Sequence, residues 1–115
     1  MKIGVISADS ASESRVALTP DAVKKLRELG FEVVIQSGAG QASYYADALY
    51  QAAGADIANS SIDVVNQSQI ITTVNDLPTS TTAALTAGQI IIGMLDPYRN
   101  TQLDTYAAKG ATAFA

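Results

Sequence analysis

Five short apolar runs, KIGVIS (2–7), FEVVIQ (31–36), QIITTV (69–74), QIIIGML (89–95) and the terminal ATAFA (111–115), punctuate the chain. Each is rich in β-branched or small residues and nearly continuous, the pattern of a strand covered on both faces. Between them the apolar residues recur at helical intervals, so the order reads βαβαβαβαβ. That order implies a three-layer α/β fold: a parallel sheet with right-handed crossovers and helices on both faces, a flavodoxin-like (Rossmann-like) half-domain.

The helical segments carry their own punctuation. Thr19 and Pro20 supply an N-cap and a first-turn proline, Ala22, Val23, Leu26 and Leu29 form one face, and Gly30 ends the helix. A second helix over 47–53 stops at Gly54, and a shorter one lies near 62–65. Another covers 80–85, and a last one 100–109 places Leu103, Tyr106 and Ala107 together before Gly110.

The residue types restrict the chemistry. With neither cysteine nor histidine, disulfides, thiolates, the usual general base and the usual zinc ligands are missing. The net charge is −4, and from Glu28 to Pro97 there are seven acids and no Lys or Arg, the opposite of what a phosphate backbone attracts. Nucleic acid is therefore not an expected partner. The longest apolar stretch, IIIGML, is far below the roughly 18–20 residues that cross a bilayer, and MKIGVISAD is too short in its apolar part for a signal peptide. A cytoplasmic location without direct membrane insertion is expected.

In open parallel sheets the ligand crevice lies outside the carboxyl ends of the strands. The residues just past the first, third and fourth of the predicted strands are Glu13 and Arg15, Asn75 and Asp76, and Asp96. Arg15, Asn75 and Asp96 are the candidate substrate-binding residues. A guanidinium in an anchored loop suits bidentate capture of a carboxylate or phosphate, and it equally suits an internal ion pair with Asp76, Asp96 or Glu13. The pairs Asp9/Glu13 and Asp76/Asp96 are expected to be solvated or paired with a cation, not to be catalytic acid–base pairs. No catalytic, cofactor-binding or metal-binding residue is assigned.

GAGQAS, with Gly38, Gly40 and Ser43, and Asp56 about 18 residues on, imitates a dinucleotide fingerprint. It lacks the third glycine and follows the second predicted strand, while the first strand-to-helix loop has no glycine at all. Its glycines are read as serving a turn with positive φ. Tyr44 and Tyr45, in a loop, are candidates for a partner surface.

Taken together, MKIGV, ESRVALTPDAVKKLRELGFEVVIQSGAG, AAGA at 52–55, TVNDLP and QIIIGMLDPYRN resemble the amino-terminal domain shared by alanine dehydrogenase and the α subunit of the proton-translocating NAD(P) transhydrogenase. The resemblance implies that 1–115 is the amino-terminal part of that domain, completed by a returning segment, with the NAD-binding Rossmann domain absent from this chain. It implies NAD(H) as the parent's cofactor, not one bound tightly here, and NADP(H)-binding and membrane components as partners in a homo-oligomeric parent. A chain stopping at ATAFA agrees with an incomplete domain.

The dehydrogenase branch of the resemblance implies an arginine at the RVA motif, lysines in a KVKEP motif and a histidine after the fourth strand. Arg15 stands at the first, Thr73 and Asn75 stand where the lysines fall, and Asp96 replaces the histidine. The transhydrogenase branch implies a VNAP-like motif without the histidine, which Val74 and Asn75 match; Thr73 and the extra Leu77 depart from it. Hydride transfer between two nicotinamides needs no protein acid or base, so transhydrogenation is the leading expectation. An amino acid dehydrogenase with an altered oxo-acid site and a non-catalytic interaction module remain alternatives.

Overall fold

A computed structural model describes residues 1–7, 16–74, 79–93 and 108–114. Six strands, β1 (Lys2–Val5), β2 (Glu32–Gln36), β3 (Asp56–Ala58), β4 (Ile70–Thr73), β5 (Ile90–Gly93) and β6 (Thr112–Phe114), form one sheet in the order β3-β2-β1-β4-β5-β6. Every neighbouring pair is parallel. The expected three-layer parallel α/β class holds, and the strand order is that of a doubly wound Rossmann sheet. The sequence reading has one strand fewer. The three residues of β3 contain a single large apolar side chain, too little for a periodic signal, and pair with Val34 to Gln36 across a helical connection.

The helices are α1 (Pro20–Glu28), α2 (Asp47–Ala52), α3 (Ser61–Gln67) and α4 (Thr79–Thr82), with a 3-10 turn over Gln41–Ser43. Thr19 caps α1 as its sequence predicts: its hydroxyl accepts from the Ala22 N–H at 3.2 Å. Gly30 takes φ +96° just past it. The helix expected over 100–109 lies almost wholly outside the described residues.

Alternation along the strands builds two cores. Val5, Val33 and Ile35 face α1 and α2, where Val23 and Tyr50 meet them. Ile6, Val34, Ile71 and Ile91 face the other way, against Val64 and Val65 of α3 and Leu85. Helices thus cover both faces, but unequally. On the α1–α2 side the described helices reach no further than β1, and Ile70, Thr72 and Ile90 are half-buried and Ile92 is 46 % exposed.

Candidate functional site

The sheet reverses its winding between β1 and β4, which is where a doubly wound sheet opens its crevice. A cleft of about 340 Å³ lies there. Its described lining is Val16, Ala17 and Leu18 on one side and Thr72, Thr73, Val74, Ile92 and Gly93 on the other. The first wall exists because VAL of the RVALTP motif turns back onto the sheet before Thr19 starts α1, packing against the core beneath α1 and α2. The second is the carboxyl edge of β4 and β5, where Thr73 pairs with Gly93.

The chemistry of this lining is spare. The Thr72 hydroxyl donates to the Gly4 carbonyl at 2.9 Å, tying β4 to β1 within the sheet. None of the described lining residues carries a titratable side chain. Such walls exclude water and shape a ligand by van der Waals contact; they neither donate nor remove a proton.

The other loop of interest, SGAG, opens at the carboxyl end of β2. There the Asp47 carboxylate accepts from the Ser37 hydroxyl at 2.6 Å and from the Gly38 N–H at 2.9 Å. Those hydrogen bonds, the Ser37 one first, hold the Asp47 carboxyl below its usual range. The loop's anion-binding donors thus serve the chain's own carboxylate. Gly38 does have positive φ, +82°, as the turn reading expects, but Gly40 does not. Gly40 is needed for space, since a Cβ there would come within 2.6 Å of the Tyr50 ring.

A depressed carboxylate stabilises the fold above its unfolded pKa, and that contribution disappears as pH falls through the folded value. Asp47→Asn is therefore expected to flatten the dependence of urea stability on pH below about 4, with a small amplitude because the group is partly exposed. Equal acid slopes for the two proteins would contradict the assignment.

Tyr50 is fully buried, and its phenol donates to the Leu18 carbonyl at 2.8 Å. Burial first, then the nearby Tyr45 and Asp47, push its pKa up to about 12, so it remains a donor at ordinary pH. Its ring meets Tyr45 edge-on at 6.3 Å. The two loop tyrosines therefore differ: Tyr45 packs on the core, whereas Tyr44 is 94 % exposed.

Residues 4–115 match the family described as alanine dehydrogenase/PNT, N-terminal domain. The chain belongs to this family.

An alanine dehydrogenase/PNT N-terminal domain is thus what the resemblance in the sequence implied. The NAD(P) transhydrogenase subunit alpha of Cereibacter sphaeroides is 34% identical over 116 residues, which is 100% of this chain and 22% of that protein. Among solved structures, the transhydrogenase from Sinorhizobium meliloti superposes with a TM-score of 0.92 at 31% identity, over 100% of this chain and 34% of that one. An L-alanine dehydrogenase superposes with a TM-score of 0.92 at 28% identity, over 100% and 32%. The chain spans between about a fifth and a third of the length of these relatives.

The structure brings the ends of β1, β4 and β5 side by side, the juxtaposition expected from the sequence. Arg15, Asn75 and Asp96 themselves, with Glu13 and Asp76, lie outside the described residues. Sequence reasoning missed Gln36, Asp47 and Tyr50. Asp47 had a legible signal, an acid at the start of a helix beyond a glycine loop; the other two act through partners 29 and 32 residues away.

Proposed function

We propose that this domain is the start of the NAD(H)-binding component of a proton-translocating NAD(P) transhydrogenase. The observation that carries this reading is the cleft at the winding reversal, walled by the Val16–Leu18 turn and the carboxyl edge of β4 and β5, in a chain matched along its whole length by a transhydrogenase α subunit. When bound, the two nicotinamides supply the chemistry, a hydride leaving NADH for NADP⁺ to give NAD⁺ and NADPH. The chain's part is to shape one side of that site and keep water from it.

The dinucleotide itself does not fit the glycine loop, where the Asp47 carboxylate already takes the Ser37 and Gly38 donors and would repel a pyrophosphate. NAD(H) is accordingly held by a Rossmann domain elsewhere in the parent. Residues 1–115 form the first part of the amino-terminal domain, and a returning segment of the parent covers the open side of β4 and β5. The exposure of Ile92 beside half-buried Ile70 and Ile90 supports that arrangement, since parallel sheets are covered on both faces.

Arg15, Asn75 and Asp96 border the cleft in this reading, with Arg15 either meeting a ligand anion or paired to a neighbouring acid. NADP(H)-binding and membrane components are the parent's partners, and the parent is a homo-oligomer. The domain itself lies on the cytoplasmic side; no helix among the described residues is long and apolar enough to cross a membrane.

The equally good superposition of L-alanine dehydrogenase keeps a second reading, an amino acid dehydrogenase with an altered oxo-acid site. The full-length protein is expected to bind NADH and, once assembled with its NADP(H)-binding component, to reduce NADP⁺ with it, while residues 1–115 alone show no saturable NADH binding. A full-length protein that ignores NADH would sink the proposal. NADH oxidation with pyruvate and ammonia, abolished by Arg15→Ala, would favour the second reading.

A further inference from the structure

Two side chains outside the cleft grip the connection between β1 and α1, one at each end. Where the chain leaves β1, the Ser7 N–H donates to Gln36 Oε1 at 2.9 Å. Where it returns, the Leu18 carbonyl accepts from the Tyr50 phenol at 2.8 Å. Neither Gln36 nor Tyr50 is among the residues lining the cleft.

The grip is stiff. Tyr50 is 0 % exposed, and its ring is wedged between Tyr45 and the backbone at Gly40, so the phenol has no room to swing away. Beyond Leu18, Thr19 accepts the Ala22 N–H on its hydroxyl and the Val23 N–H on its carbonyl at 3.0 Å, carrying the tether into the first turn of α1. On the other side, the Ile6 N–H donates to the Thr72 carbonyl at 3.0 Å, so Ser7 leaves a strand already fixed to β4. A wall held this way meets a ligand without first losing conformational freedom, and small misplacements of such walls reduce rates disproportionately.

We infer that Gln36 and Tyr50 are positioning residues for the cleft: by tying both ends of the connection that carries Arg15, they set where the Val16–Leu18 wall stands without touching a ligand. The inference rests on the proposed hydride-transfer role for its kinetic readout alone.

The test uses the full-length protein, assembled with its NADP(H)-binding component for the turnover measurements, and the variants Tyr50→Phe, Gln36→Met and Gln36→Glu, the last of which keeps an acceptor for Ser7. In native-state hydrogen exchange, Tyr50→Phe should speed the Ala22 and Val23 amides by about fivefold or more, and Gln36→Met the Ser7 amide, with the Val34 and Ile71 amides unchanged. Turnover from NADH to NADP⁺ should fall by about three- to tenfold in Tyr50→Phe and Gln36→Met with NADH affinity unaltered, and Gln36→Glu should restore both Ser7 protection and turnover.

Unchanged exchange at these amides, acceleration spread evenly over the sheet, or local acceleration with wild-type turnover would each overturn the inference. If the wild type transfers no hydride to NADP⁺, the proposed function fails, and the same variants read with pyruvate and ammonia decide the positioning role. A wild type with neither activity overturns both.

Discussion

Gly93→Val is expected to destabilise the domain by about 2–3 kcal/mol and to fill part of the cleft. At Gly93 an added Cβ would overlap the Thr73 carbonyl oxygen and lie 2.9 Å from the Thr73 methyl. A side-chain tip could turn aside, but the carbonyl belongs to the paired strand and can move only if β4 and β5 separate. The urea midpoint should drop, with the slope nearly unchanged because the same surface is exposed on unfolding. Because Gly93 and Thr73 both line the cleft, the loss should be accompanied by weaker ligand capture. A variant with the wild-type midpoint would show that the two strand ends are not pressed together as described.

Ile71→Ala is expected to cost about 3–5 kcal/mol. Ile71 is fully buried in the middle of the sheet, paired with Gly4 on one side and Ile91 on the other, in the cluster that α3 closes with Val64 and Val65. A cavity there is bounded by strands on both flanks and a helix above, so little can collapse into it. Denaturation of the purified domain reads the effect, and a loss under about 1 kcal/mol would place Ile71 outside the tightly packed core. Ile92→Ala is the informative contrast, since that side chain is half exposed and its truncation removes far less buried surface.

The contrast between Ile71 and Ile92 also shows what a one-dimensional reading can see. Both sit in nearly continuous apolar runs, which is why the layered parallel sheet was legible. Yet the runs do not say which half of a face the helices leave uncovered, because that depends on where α1 and α2 come to rest. The strand β3 escaped for a related reason: Asp56 to Ala58 becomes a strand because β2 offers it a paired edge, not through its own composition. Gly40 is the subtlest case. Its sequence context suggests a turn glycine, whereas the missing side chain makes room for a tyrosine ten positions later.

For the cleft, the order of strands and helices was enough to expect a crevice at the carboxyl ends of β1, β4 and β5. The residues that hold its Val16–Leu18 wall could not be read, because hydrogen bonds from Gln36 and Tyr50 join segments with no local relation. A glutamine ending a strand and a tyrosine inside a short helix have many ordinary roles, and only the fold selects this one.

The engagement of Asp47 with Ser37 and Gly38 has a bearing on redesign. This sheet has the strand order on which dinucleotide sites are commonly built, so grafting glycines into its first loop is an obvious route to a minimal cofactor binder. The neighbouring glycine loop would work against the graft, because its donors are satisfied internally and its carboxylate projects negative charge along the same edge. Neutralising position 47 would therefore have to come before any new phosphate seat, or the engineered protein would be optimised against its own surface potential.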